Sequence, residues 1–148
     1  MQYFIGQVNF LRRFIPSFAE IQMDITYMLK KDHEIKWMMG AKKAFKDIKQ
    51  AISEAPILIN LDFEKDFLVF SYASEHTVAT VLLQKNDRGE EHPIAFFSKI
   101  LRDGELKYSI MEKQAYTLVK ALKDFRIYLL HSHIISYVPC SAVKSILT

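Results

Sequence analysis

The sequence is poor in the residues that cross-link or interrupt a polypeptide chain. Its 148 residues include one cysteine, four glycines and four prolines. A single cysteine excludes an internal disulfide and favours a reducing compartment. Hydrophobic residues make up 50% and charged residues 25% of the chain, the balance of a globular domain, which excludes a disordered chain. The length suits one ordinary domain or two small ones with a packed core.

Long apolar runs are absent as well. The apolar stretches at residues 78–83 and 94–97 are broken by charge within a few positions, well short of the roughly 18 residues that span a bilayer. Near the N-terminus, Arg12 and Arg13 follow the apolar residues instead of preceding them, which is the wrong order for a secretory signal. The sequence therefore predicts a cytoplasmic protein that is not secreted and has no membrane partner.

The net charge is only +3, and it is unevenly distributed. Residues 1–56 hold nine Lys and Arg against six Asp and Glu, whereas residues 57–148 hold eleven of each. A mildly basic segment can lie along a phosphate backbone. Solvated helix faces explain the same excess equally well, so both interpretations stay open.

Residues 1–53 show helical periodicity. Pro16 separates two short stretches, and a third helix is expected over AKKAFKDIKQAISEA, which ends where Ala55 precedes Pro56, because the residue before a proline avoids the helical region. The predicted core stripe of this third helix is Ala44, Phe45, Ile48, Ala51 and Ile52.

The period changes after Pro56. PILINLDFEKDF is expected to be an extended connector, and three runs rich in Val, Ile, Phe and Thr follow it: FLVFSYAS, TVATVLLQKN and HPIAFFSKIL. Such runs favour strands. A turn over residues 86–89, with glycine at its end, predicts that the second and third strands are antiparallel neighbours in a meander.

A long helix is expected next. Ser109 and Glu112 have the spacing of a capping box, and helical periodicity continues to Leu130; HSHIISYVP is then predicted as a fourth strand and SAVKSIL as a short helical turn. Strands, a crossover helix and a further strand predict an α/β chain of the mixed α+β kind, with a mixed sheet covered by a helix. The predicted core stripe is Ile110, Ala115, Leu118, Val119, Leu122, Phe125 and Leu129, with Lys113, Lys120, Lys123, Asp124 and Arg126 mostly outside it.

Two long stretches carry a resemblance to a known family. FIGQVNFLRRFIPSFAEI, followed by Trp37, AFKDIKQAI and APIL, resembles the segment after the polymerase palm in reverse transcriptases of gypsy-type LTR retrotransposons. FLVFSYAS, VLLQKNDRGEEHPIAFFSKIL and KYSIMEKQAYTLVKALKDFRIYLL resemble the RNase H domain that follows in the same polyproteins. The resemblance covers essentially the whole chain. It implies a helical thumb or connection segment at residues 1–55 and an RNase H-like domain at residues 56–148.

By this resemblance the chain is a fragment of a polyprotein. The palm and its paired aspartates are missing, so nucleotide transfer is not expected, and the family's last strand and last catalytic carboxylate are expected beyond Thr148. The implied partners are RNA–DNA hybrid, bound weakly through a few phosphate contacts, and the adjacent polymerase, RNase H and integrase parts. A virus-like particle and the nucleus are the alternative locations.

The resemblance also allows the chemistry to be tested residue by residue. RNase H chemistry uses two divalent cations held by converging carboxylates. The aspartate of the first strand aligns with Tyr72, the glutamate of the long helix with Gln114, and the aspartate after the fourth strand with Pro139. A phenol with a pKa of about 10 is neutral at pH 7, an amide offers one uncharged oxygen, and proline offers no ligand atom. We therefore expect a degenerate domain with no catalytic residue, no metal site and no cofactor, although the family uses Mg²⁺.

Substitute carboxylates are the alternative. Glu112 lies about 200° around the helix from Gln114, and helix capping accounts for it better. Glu75 lies just past the end of the first strand. Solvated turn charge is the ordinary explanation for the acidic residues of the connector, Asp62, Glu64 and Asp66.

Four other residues have both a functional and an ordinary interpretation. His131 and His133 would share a face of the fourth strand, as zinc ligands can, but no Cys or carboxylate pair completes four ligands, so we favour histidines at the start of a strand. Cys140 has no evident base and is interpreted as a buried or half-buried thiol. Trp37 could stack on a nucleobase, but a packing role is favoured.

The candidate nucleic-acid contacts are Arg12, Arg13, Lys30 and Lys31, with solvated charge as the alternative. The leading hypothesis is a catalytically inactive tether or connection domain that positions hybrid or packs against neighbouring domains. One rival is an active, metal-dependent RNase H that uses displaced carboxylates. The other is a protein-docking module that uses an exposed sheet edge.

Overall fold

The computed structural model describes residues 12–28, 39–54 and 61–139. Several expectations lie outside these residues: the helix before Arg12, residues 56–60 of the connector and the terminal helical turn. So do four candidate residues, Lys30, Lys31, Trp37 and Cys140. The described part of the connector is not extended as expected, because residues 62–65 form a turn in which the Lys65 amide donates to the Asp62 carbonyl at 3.3 Å.

Two helices form the first part of the described chain. A 3₁₀ turn at Arg12–Phe14 leads through Pro16 into α1 (Phe18–Met28), and α2 spans Met39–Ser53. The break at Pro16 and the third predicted helix are confirmed. Their contact buries Ile15, Phe18, Ile25, Ala44 and Ile48 in one cluster, called here the helical cluster.

One member of the predicted stripe of α2 is wrong. Ile52 is 37% exposed, and Ala41, at 3%, takes a place in the core instead. The helix begins at Met39, two residues before the expected start, so the buried positions 41, 44 and 48 repeat from its first turns. Ile52 belongs to the last turn, where the buried stripe has already ended.

A mixed sheet follows, formed by β1 (Phe67–Ala73), β2 (Thr77–Lys85), β3 (Glu91–Ile100) and β4 (Ile134–Tyr137). The strand order is β3-β2-β1-β4, with β1–β2 and β2–β3 antiparallel and β1–β4 parallel. The predicted meander and fourth strand are confirmed. The β2–β3 turn also matches its prediction, since Gly89 has a φ of 80° and Asn86 Oδ1 accepts from the amides of Arg88 and Glu90, both at 2.9 Å.

One face of the sheet carries α3 (Ile110–Asp124). Their contact forms the main core, called here the sheet cluster: Phe67, Val69, Leu82, Ile94, Ala95, Leu118, Ala121, Phe125 and Leu129. Of the two helices, α1 lies against β3 and β2, where the Ala19 amide donates to Ser98 Oγ at 2.9 Å. Ser98 alternates with Lys99, which bonds to Tyr116 of α3, so α1 lies on the face of the sheet opposite α3.

The predicted long helix is divided into two. It ends at Asp124, and a separate turn, α4, spans Arg126–Leu129. Phe125, with φ −84° and ψ 3°, connects them. Phe125 and Leu129, four residues apart, both belong to the sheet cluster.

The predicted burial of three residues in α3 is wrong. Ile110 and Val119 are 52% and 50% exposed, whereas Lys113 is only 7% exposed. Lys113 is buried without losing hydrogen bonding, because its ammonium donates to the Glu75 carbonyl at 2.8 Å while its methylene stem packs. The true buried stripe contains Gln114, Thr117, Leu118 and Ala121.

The two histidines near β4 do not share a face of the strand as expected, because both precede Ile134. His131 has a left-handed φ of 68°. His133 lies at the start of the strand, with Nδ1 3.0 Å from Asp66 Oδ1. None of the described helices combines the length and the apolar character that crossing a membrane requires.

Candidate functional site

The end of β1 places Tyr72 away from α3. Along β1 the side chains of Phe67 and Val69 belong to the sheet cluster beneath α3, and alternation puts Ser71 and Ala73 on that same face. Tyr72 therefore lies on the opposite face, where it is 64% exposed. A phenol in this position cannot join a ligand set with a residue buried under α3.

Gln114 is buried in the second turn of α3. It is 9% exposed, and its Oε1 has no hydrogen-bond partner in the described part of the chain. The preceding turn is fixed by the predicted capping box, since Ser109 Oγ accepts from the Glu112 amide at 3.3 Å and the Ser109 amide donates to Glu112 Oε2 at 2.7 Å. The Ser109 amide also lowers the pKa of Glu112. Glu112 is thus the helix cap expected from the sequence and points away from Gln114.

Pro139 lies two residues past the end of β4 and is exposed. Across residues 12–28, 39–54 and 61–139, no three side chains of His, Cys, Asp or Glu are grouped closely enough to hold a metal ion. The three positions that the resemblance aligns with the family's metal ligands offer a phenol, an amide and a pyrrolidine ring. These groups do not fit two divalent cations, which require several converging carboxylates.

The other candidate carboxylates are dispersed. The Glu75 side chain is 92% exposed, 3.8 Å from His76 Nε2. Asp62 lies 3.6 Å from Lys65 Nζ, and Asp66 pairs with His133. Each is an exposed partner of a neighbouring cation or imidazole, as expected for turn charge.

Two of the candidate nucleic-acid contacts have partners at the end of α3 and in α4. Arg12 Nη2 lies 3.5 Å from Asp124 Oδ1, and Arg13 Nη1 donates to the Tyr128 hydroxyl at 3.5 Å. Both arginines are exposed. A guanidinium carries five N–H donors, so each retains donors for a phosphate. Their role in binding stays a prediction.

A polar cluster that sequence reasoning missed joins β3, a 3₁₀ turn at Asp103–Lys107 and α3. Lys99 Nζ donates to Glu105 Oε1 and to the Tyr116 hydroxyl, both at 2.5 Å, and Tyr116 donates to Glu105. The Lys99 and Tyr116 bonds hold the pKa of Glu105 at about 2. Burial lowers the pKa of Lys99, but the bonds to Glu105 and Tyr116 outweigh it and the net shift is upward.

Only one contact around Tyr116 could have been predicted from the sequence, namely the contact with Lys120 on the same helix. Residues four apart on a helix are neighbours, and Lys120 Nζ lies 5.5 Å from the Tyr116 ring centroid. Lys99 lies 5.1 Å from the same ring, but only the folded chain brings it there. The cluster fixes the connection between β3 and α3.

The strand order, the parallel fourth strand and the crossover helix define the class of the protein as an RNase H-like domain. Residues 37–136 match the model of the RNase H-like domain found in reverse transcriptase, and the chain belongs to this family. The resemblance to a retrotransposon polyprotein, read from the sequence, is thereby confirmed together with the mixed α+β fold.

Curated relatives give the same result. The chain is 35% identical over 129 residues to the transposon Tf2-3 and Tf2-4 polyproteins of Schizosaccharomyces pombe, a match that covers 87% of this chain and 10% of each polyprotein. It therefore spans about a tenth of the length of these relatives.

Solved structures resemble the chain along nearly its whole length. The foamy viral protease-reverse transcriptase dRH in complex with double-stranded DNA matches with a TM-score of 0.81 and 29% identity, covering 99% of this chain and 26% of that one. The foamy viral protease-reverse transcriptase in complex with RNA/DNA hybrid matches with a TM-score of 0.77 and 30% identity, covering 94% and 19%. The sequence is that of a reverse transcriptase and RNase H-like segment of a retrotransposon polyprotein.

Proposed function

We propose that this chain is a non-catalytic tether domain of a gypsy-type LTR retrotransposon polyprotein. It positions nucleic acid, RNA–DNA hybrid above all, or packs against the neighbouring polymerase, RNase H and integrase parts. Residues 1–55 would serve as the thumb or connection segment and residues 56–148 as the RNase H-like domain. The cytoplasm is the proposed location.

One observation carries the proposal: the positions that hold the family's metal ligands are uncharged and separated. Gln114 is buried on the side of α3 that faces the sheet, whereas Tyr72 lies exposed on the other face of the sheet. A divalent cation bound between them would lack the negative charge that compensates its dehydration. The fold is retained while the chemistry of the site is lost, which is the property of a scaffold.

Nucleic acid as the partner is supported by two observations. The similar foamy viral proteins are described in complex with double-stranded DNA and with RNA/DNA hybrid. The basic excess of this chain lies in residues 1–56, where Arg12 and Arg13 are exposed. Binding through a few cations is weak and depends steeply on salt.

Cleavage of a labelled RNA–DNA hybrid by the full chain, first in Mg²⁺ and then in Mn²⁺, tests the loss of catalysis. We expect the hybrid to stay intact at all protein concentrations. EDTA-sensitive cutting that persists through repurification would overturn the proposal. Loss of that cutting in Glu75→Gln or Glu112→Gln would then establish the displaced-carboxylate nuclease.

A gel-shift or fluorescence-anisotropy titration with uncut hybrid tests positioning. Arg12→Ala/Arg13→Ala is expected to weaken binding and to reduce the slope of log affinity against log salt by about 1 for each phosphate that the variant no longer binds. Arg88→Ala/Lys107→Ala removes the same charge from exposed turns and is the matched control. Equal effects in both double variants would argue against phosphate binding at the arginine pair.

Protein docking is the alternative that the sheet edge favours. β4 is one of the two outer strands of the described sheet, and its Tyr137 is 44% exposed. Sedimentation experiments test this alternative. If the chain associates in a concentration-dependent way and does not bind hybrid, its partner is a protein and not a nucleic acid.

A further inference from the structure

A row of polar side chains interrupts the core beneath α3. It consists of Ser71 on β1, Thr80 on β2 and Gln114 on α3, which are 6%, 4% and 9% exposed. All three belong to positions where an apolar side chain would be the ordinary occupant. We call them the polar row.

The strand register places Ser71 and Thr80 side by side, and the contacts of α3 limit the level at which Gln114 faces the sheet. Ser71 and Thr80 are direct partners across β1 and β2, and both lie on the face beneath α3, where opposite side chains are about 5 Å apart. Gln114 lies between Lys113, which bonds to the Glu75 carbonyl just past the end of β1, and Leu118, which belongs to the sheet cluster with Val69. Its level along β1 therefore falls between Glu75 and Val69, the interval that contains Ser71.

On β1 and β2, the apolar packing of this face is divided at the level of Ser71 and Thr80. On one side lies the sheet cluster, which includes Val69 and Leu82. On the other side Ala73, Val78 and Leu101 form a separate small cluster, packed by Phe97 and Tyr116. Ser71 lies between Val69 and Ala73 along β1, and Thr80 lies between Val78 and Leu82 along β2, so on these two strands the polar row lies between the two clusters. On β3, Phe97 is the partner of Thr80 and packs against both clusters, which it joins at that side.

The oxygens of the polar row have no hydrogen-bond partner within the described residues: Ser71 Oγ, Thr80 Oγ1 and Gln114 Oε1. Thr117 provides a contrast, because it is fully buried yet donates its hydroxyl to the Lys113 carbonyl. A buried polar atom without a partner is costly, so polar groups in protein interiors are normally satisfied by protein atoms or by ordered water.

We propose that the polar row holds an internal water molecule between β1, β2 and α3. The water donates one hydrogen bond to Gln114 Oε1 and one to a hydroxyl, and it accepts from the other hydroxyl. This gives it three partners, the usual number for a buried water. The three oxygens carry no formal charge, which suits water and not a divalent cation. The site does not depend on the proposed role in nucleic-acid binding.

Because all three side chains of the polar row are buried, such a water exchanges only when the first turns of α3 move away from the sheet. Its residence time is therefore set by opening of α3 and exceeds that of surface water. Magnetic relaxation dispersion of water ¹⁷O detects such waters as a step in the relaxation rate at low frequency. The amplitude of the step gives the number of long-lived water molecules per protein.

The test compares Thr80→Val with Thr117→Val in the full chain. Both replace a buried hydroxyl with a methyl group of similar size, but only Thr80 belongs to the polar row. We expect the step of Thr80→Val to fall by one water molecule relative to wild type and that of Thr117→Val to stay unchanged. Equal amplitudes in all three proteins would overturn the proposal, as would equal losses in both variants.

Gln114→Met and Ser71→Ala keep the test decisive if Thr80→Val does not fold. Each removes a different partner of the water and is expected to reduce the same step, with circular dichroism confirming the fold. Mn²⁺ titration adds a separate criterion. Paramagnetic broadening of the Gln114 side-chain amide at low millimolar Mn²⁺ would mean that the polar row binds a cation and would overturn the proposal of a water.

Discussion

Replacing Glu105 by glutamine is expected to remove a part of the folding free energy that depends on pH. Glu105 accepts hydrogen bonds from Lys99 and Tyr116, and its side chain is 21% exposed. The Lys99 and Tyr116 bonds lower its pKa from 4.5 to about 2. Glutamine keeps the shape of the side chain but cannot carry the charge that Lys99 pairs with.

The pH range in which Glu105 stabilises the fold follows from the direction of its pKa shift. Because the folded pKa is lowered, the carboxylate contributes stability that is fully present above about pH 4.5 and is lost as pH falls towards 2. A shift of this size corresponds to at most about 3 kcal/mol. Partial exposure and screening reduce the expected contribution to about 1–2 kcal/mol.

Urea unfolding at intervals between pH 2 and 7 measures this contribution. Wild type is expected to lose about 1–2 kcal/mol more than Glu105→Gln across the acid range, and the two proteins should converge near pH 2. Glu64→Gln, an exposed carboxylate in the turn before β1, is the control and should follow wild type. Parallel curves for wild type and Glu105→Gln would refute the assignment of acid sensitivity to this cluster.

Three further predictions concern stability and are checked by chemical denaturation. Ser109→Ala should cost about 1 kcal/mol through loss of the α3 cap, and a change below about 0.3 kcal/mol would contradict the capping box. Gly89→Ala, at φ 80°, should cost about 1–2 kcal/mol, whereas Gly104→Ala, whose added methyl meets nothing within 4 Å, should be near neutral. Leu82→Ala and Ile48→Ala should each cost about 2–5 kcal/mol in a single cooperative transition, because α1 packs on β3; two separate transitions would mean that the helical cluster and the sheet cluster unfold independently.

Local signals predicted most elements of the fold. The glycine of the β2–β3 turn, the capping box of α3 and the proline after α2 each act within a few residues, so the sequence shows them directly. Burial of Lys113 is different. Its ammonium is satisfied by the Glu75 carbonyl, 38 positions away, and no helical pattern contains that information.

Gln84 shows the same limit on the sheet. It is 1% exposed because its side chain bonds to the backbone of the connector: Nε2 donates to the Asp62 carbonyl at 2.5 Å, and Oε1 accepts from the Asp62 amide at 3.1 Å. In sequence it is a polar residue near the end of a strand. Its partners lie 22 residues earlier and become neighbours only when the connector folds over β2.

The candidate site was predictable in composition but not in geometry. The resemblance aligns Tyr72 and Gln114 with carboxylates of the family, and this prediction needs only the identities of the residues. The run FLVFSYAS is apolar on both faces, so alternation alone could not decide whether Ser71 or Tyr72 lies beneath α3. Packing of the helix against Phe67 and Val69 decides it, and the same packing creates the polar row.

The parallel pairing of β4 with β1 also orders events during synthesis. Phe67 lies opposite Ile134, so a ribosome must add about 70 further residues after the start of β1 before its second neighbour exists. At about 5–20 residues per second this takes roughly 3–14 s. Throughout that interval the free side of β1 is an open hydrogen-bonding edge, available to any other extended segment made by the same polysome. The speed of translation between β1 and β4 therefore sets how long nascent chains are exposed to mispairing.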